Sequence, residues 1–134
     1  MDDDLKTPAH DALMSWIDAH IVEILRAVLK LDGVPHVTRP KWEHVIKAER
    51  DFVIGFADMS VAASWEDRSW HFFVEAKTRI PSVSELIRQV RFYQSAERPS
   101  EDENGPEWLG IAPDDRFAER LRSQGIHFHK SPTL

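Results

Sequence analysis

The stretch Trp70–Thr78 is the strongest constraint in the chain. It carries Phe72, Phe73, Val74 and Ala76, so a strand drawn through it is apolar on both faces. Such a strand belongs inside a sheet with layers above and below it. Helical and strand patterns surround it in alternation. From Thr7-Pro8, a cap and a first helical position, Ile17, Ile21, Ile24 and Val28 recur at helical spacing up to Leu31. His36–Pro40 reads as a connector. Strands are predicted over Trp42–Lys47 and Phe52–Trp65, with the turn Glu49-Arg50-Asp51 between them and Gly55 as a bend or bulge. Pro81 ends the third strand, and Ser82 or Ser84 caps a second helix that carries Tyr93, Ser82 standing at capping-box spacing from Glu85. Arg98–Pro106 is a polar loop. A strand at Trp108–Ala112 follows, then a helix capped by Asp114 or Asp115, and a last strand at Ile126–His129. The order α-β-β-β-α-β-α-β predicts an α/β domain with a central mixed sheet, helices on both faces and the last two strands parallel.

With 134 residues, 42% of them hydrophobic and 30% charged, the chain suits a single domain over 1–134 with its own core. It has no cysteine, which excludes disulfide scaffolds, thiolate metal sites and cysteine nucleophiles. The acidic start Met1-Asp2-Asp3-Asp4 does not read as a secretory or transit peptide, and no apolar run reaches membrane-helix length. A cytoplasmic protein without a membrane partner is the expectation. The net charge of -6 speaks against a nucleic-acid binder, but the acids cluster in Asp2–Asp4 and in Glu101, Asp102, Glu103 and Glu107. Between Lys77 and Arg98, Lys77, Arg79, Arg88, Arg91 and Arg98 face only Glu85 and Glu97. That segment is either a solvated helix face or a local basic surface.

Glu75 and Lys77 lie two apart on the apolar third strand and share a face. Charges in such a strand need partners. A cross-strand ion pair is one answer. The other is a site shared with Asp58 of the neighbouring strand. Two carboxylates and the Ala76 carbonyl would then form an oxygen-rich pocket for Mg²⁺ or Mn²⁺, with the Lys77 ammonium beside it. Gln89 and Tyr93, one helical turn apart, share a face and suit a phosphate or an attacking water. Arg88 and Arg91 bracket Gln89 and can hold phosphates along a strand, as can Arg79.

Gly55-Phe56-Ala57-Asp58, Glu75-Ala76-Lys77 and Gln89-Val90-Arg91-Phe92-Tyr93 thus give G-x-x-D, E-x-K and Q-x-x-x-Y, in that order on strand, strand and helix. This set resembles the PD-(D/E)XK nuclease superfamily, and within it the RecB-like and lambda-exonuclease-like branch that carries Q-x-x-x-Y. Ala57 departs from the name-giving proline. The resemblance implies a restriction-endonuclease-like core (αβββαβ) and metal-dependent hydrolysis of phosphodiesters, with DNA the expected substrate and RNA the other polynucleotide. It implies Asp58 and Glu75 as metal ligands, Lys77 as catalytic, and Gln89 and Tyr93 as accessory groups. The family also uses a first-helix residue, here His20 or Glu23. On a helical wheel His20 lies about 70° from the centre of the apolar stripe and Glu23 about 130°, which favours His20. Asp51 rivals Asp58 but falls in a polar turn. The alternatives are a catalytically silent nucleic-acid- or protein-binding module on the same fold, or a subunit that cuts only with a partner. With no appended DNA-reading module, specificity must come from loops, a second copy of the chain, or another protein.

Two further features read more simply. His127 and His129 share a strand face and suit a transition metal only with a third ligand. Trp65 and Trp70 flank a turn, where packing competes with base stacking. There is no phosphate-binding G-x-x-x-x-G-K-[ST] loop, G-x-S-x-G elbow or H-E-x-x-H helix.

Overall fold

The computed structural model describes residues 7–47, 53–96 and 106–134. The first helix, α1, spans Pro8–Leu29. The Thr7 side chain accepts a hydrogen bond from the His10 amide at 3.0 Å, and Lys30 stops the helix in the left-handed region at φ 55°. Leu13, Met14, Ile17, Ile21, Ile24 and Leu25 form its buried face. Removing each from water contributes about 2 kcal/mol.

Among the described residues six strands form one mixed sheet: β1 (His36–Val37), β2 (Lys41–Lys47), β3 (Val53–Trp65), β4 (Arg68–Ala76), β5 (Glu107–Ala112) and β6 (His127–Lys130). The order is β1-β3-β4-β5-β6, with β2 also on β3. Pairs up to β3–β4 are antiparallel, while β4–β5 and β5–β6 are parallel. The parallel pairs need crossovers, supplied by α2 (Val83–Ala96) and α3 (Ala118–Ser123). The expected α/β class and the parallel final pair are found. β1 falls within the expected connector. β3 is 13 residues long, enough to carry β1 at Ala63 and Ser64 and β2 further along the same strand.

Alternation along β4 builds two cores. Phe72, Val74 and Ala76 join Leu109, Ile111 and the α1 residues on one side. Phe73 joins Trp108 with Val83, Leu86, Val90 and Tyr93 of α2, and Leu121 of α3, on the other. Of the two serines Ser82 is the cap of α2, its hydroxyl accepting from the Glu85 amide at 3.2 Å. α3 starts later than expected. Asp114 instead accepts from the Arg116 amide at 3.0 Å and closes a turn ahead of the helix. The expected turn Glu49–Asp51 and the loop Arg98–Pro106, apart from Pro106, lie outside the described residues. No helix among the described residues is long and apolar enough to cross a membrane.

Candidate functional site

The site forms where β3 and β4 part. Their ladder runs from Trp65↔Arg68 to Met59↔Val74 and ends there. Beyond it, Glu75 and Ala76 pair with Gly110 and Ile111 of β5. Residues two apart on a strand should share a face. Yet Met59 belongs to the core on the α1 side and Ala57 to the core on the α2 side. The paired strand β2 turns over at the same level. The Trp42 indole donates to Asp18 Oδ2 of α1 at 2.7 Å, whereas His44 packs on Phe73 of the other core at 4.8 Å. Glu43 lies between them at φ 56°. A left-handed residue in one strand and a lost alternation in its partner turn both strands over together.

Asp58 sits at this crossover. Its Oδ2 accepts a hydrogen bond from the Ala76 amide at 2.8 Å, covering the edge of β4 that β3 leaves open. The carboxylate is thereby fixed at the Glu75–Ala76 peptide. Its Oδ1 lies 3.4 Å from His10 Nε2 of α1. Glu75 is 4% exposed, and a carboxylate so deep needs a countercharge. Lys77 Nζ stands 3.8 Å from Glu75 Oε2, and the Lys77 amide donates to the Ile111 carbonyl at 2.9 Å, which anchors its backbone to β5. On α2, Gln89 Nε2 donates to the Tyr93 hydroxyl at 3.3 Å. Tyr93 stacks on Trp108 at 5.7 Å and 22°.

Asp58 is thus brought to the Glu75–Ala76 peptide, Lys77 to Glu75, and Gln89 to Tyr93. His20, expected at the site, is elsewhere. It follows His10 by about 15 Å of helix. Its Nδ1 donates to the Trp16 carbonyl at 2.8 Å and its ring stacks on Trp16 at 4.8 Å. Glu23 is exposed, and Asp51 lies outside the described residues. The helix residue at Asp58 is His10, which the sequence reading missed. The signal was present. His10, Ile17 and Ile24 are seven apart, and His10 lies about 10° from the centre of the apolar stripe. A histidine buried there calls for a polar partner.

The three arginines divide. Arg79 and Arg88 are exposed. Arg91 is exposed too, but it donates to Gln94 Oε1 at 2.8 Å and to the backbone carbonyl of Gln124, tying α2 to the turn before β6. His127 pairs with Glu107 at 2.8 Å, while His129 faces Trp16 at 6.4 Å. Arg68 lies over both Trp65 and Trp70, at 5.6 Å and 5.1 Å.

The donor chemistry fits a hard divalent cation. Asp58 and Glu75 would supply carboxylate oxygens, and Ala76, at the end of β4, a carbonyl. Among the described residues no three His, Asp or Glu side chains are gathered as a metal cluster. The fit therefore rests on two carboxylates and a backbone oxygen. A cation there would compete with the Ala76 amide for Asp58 and with Lys77 for Glu75. The chain matches no family model, no curated protein and no solved structure.

Proposed function

We propose that this protein is a metal-dependent nuclease that hydrolyses phosphodiester bonds, in DNA first, on a restriction-endonuclease-like core of the PD-(D/E)XK kind. The observation that carries the reading is the hydrogen bond from the Ala76 amide to Asp58 Oδ2 at 2.8 Å. It holds a carboxylate of the G-x-x-D segment beside the E-x-K segment at the point where two strands separate. An acid needed only for solubility would not be used to cover a strand edge there.

In this reading Asp58, Glu75 and the Ala76 carbonyl hold Mg²⁺ or Mn²⁺. When bound, the cation supplies charge stabilisation at phosphorus and a lowered pKa for water. Lys77 places an ammonium next to the developing negative charge on the phosphoryl oxygens. Its aliphatic stem is almost fully enclosed, with the side chain 12% exposed, so the charge is poorly screened and acts at close range. His10 orients Asp58 from the α1 side. Gln89 and Tyr93 contact the substrate from α2, and Arg79 and Arg88 neutralise its backbone.

Incubation of the purified chain with labelled single- and double-stranded DNA, with Mn²⁺ or Mg²⁺ and then with a chelator, tests the reading. Metal-stimulated cutting that Glu75→Gln abolishes supports it. DNA binding without metal-stimulated turnover favours the silent binding module instead.

A further inference from the structure

Two of the three motifs touch each other at a residue with no side chain. Gly55 lies in β3 with no positive φ, so its backbone conformation is open to any residue. Its neighbourhood is not. A Cβ built there would lie 2.2 Å from the Tyr93 hydroxyl, 2.7 Å from Cζ and 2.8 Å from Cε1. The obstacle is the rigid end of an aromatic ring. Trp108 stacks on that ring, Gln89 bonds its hydroxyl, and Tyr93 is 8% exposed. The tyrosine therefore has little freedom to move aside.

We propose that Gly55 is a positioning residue: the space left by its missing side chain sets the Tyr93 hydroxyl against β3, where it meets the backbone of a polynucleotide strand. The inference rests on the nuclease reading for its substrate. Gly55 and Asp58 lie three positions apart, about 10 Å of extended chain. The hydroxyl is thus set apart from the Asp58 level, and it holds a phosphate neighbouring the one that is cut. Gly55 acts only through Tyr93. The glycine of G-x-x-D and the tyrosine of Q-x-x-x-Y form one contact.

A double-mutant cycle tests this with Gly55→Ala, Tyr93→Leu and the pair. Tyr93→Leu removes the hydroxyl and keeps an apolar body against Trp108. Gly55→Ala alone should lower Tm by about 4–8 °C through overpacking. In the Tyr93→Leu background the same change should cost about 1 °C or less. In cleavage, Gly55→Ala should raise KM for DNA about tenfold with a much smaller change in kcat, and Tyr93→Phe, which keeps the ring, should also act on KM. Affinity for a fluorescent oligonucleotide without metal gives the same readout if the chain does not cut, so the failure of the nuclease reading is separable. An equal Tm loss in both backgrounds would overturn the contact. Unchanged KM and oligonucleotide affinity in Gly55→Ala would overturn its role in substrate positioning.

Discussion

Asp58 holds the amide of Ala76 at 2.8 Å across the gap where β3 leaves β4, so one side chain both closes a strand edge and presents a carboxylate. The two jobs separate by substitution. Asp58→Asn keeps a carbonyl oxygen for the amide and should leave stability nearly unchanged while abolishing metal-dependent cleavage. Asp58→Ala removes the acceptor and should cost about 1–3 kcal/mol as well. Urea melts of both variants, run with the cleavage assay, check the split.

Glu75 and Lys77 are coupled in the opposite way. Their side chains are 6% and 12% exposed and their charged atoms are 3.8 Å apart. Lys77→Ala takes the ammonium from beside a buried carboxylate and should cost about 3 kcal/mol in addition to activity. Glu75→Gln removes the buried charge itself and should cost less. In the nuclease reading, cleavage should be lost in both. A Lys77→Ala protein as stable as the parent would contradict the buried pair.

Two histidines make the fold sensitive to acid. Burial lowers the pKa of His44 below 6.5, and Lys41 adds to the effect. Burial likewise lowers His129, with Arg122 adding to it. In the unfolded chain both titrate near the ordinary value, so the unfolded state takes up protons first as pH falls. Their contribution to stability is full above the unfolded pKa and is lost as pH drops through the folded values. Denaturation midpoints should fall between pH 7.5 and pH 5.5, and His129→Gln should flatten that slope. A midpoint that rises on acidification would contradict the assignment.

Arg88 and Arg91 should behave differently although they lie only three positions apart. Arg91 is bound to Gln94 and Gln124, so Arg91→Ala should cost about 1 kcal/mol of stability. Arg88 is exposed on α2. In the nuclease reading Arg88→Ala lowers DNA affinity uniformly across sequences and reduces the salt slope by about one. Affinity measured at several salt concentrations, with thermal melts, distinguishes them.

Periodicity made most of the elements legible. The apolar stripe of α1, the two-faced strand β4 and the Ser82 cap needed only local rules. β1 was missed because two residues form no pattern of their own and owe their strand to the length of β3. The late start of α3 was missed because Asp114 prefers its own turn. The site was half legible. Glu75 and Lys77 stood out as charges in an apolar strand, and their spacing alone fixed their shared face. Between His20 and Glu23 the wheel favours His20, whose border position suits a residue reaching a site beside the core, and His10 at the stripe's centre does not enter that comparison. Helix α1 instead brings the centre of its stripe to Asp58. The turnover of β2 and β3 at Glu43 and Asp58 depends on two strands acting together, which no single stretch of sequence displays.

The most direct test is the rate of DNA cleavage by the purified chain in Mn²⁺, compared with folded Glu75→Gln and Asp58→Asn proteins. The account predicts cutting by the parent, its loss on chelation, and no cutting by either variant. Cutting by Glu75→Gln at the parent's rate, or no cutting by the parent on single- or double-stranded DNA, would contradict it.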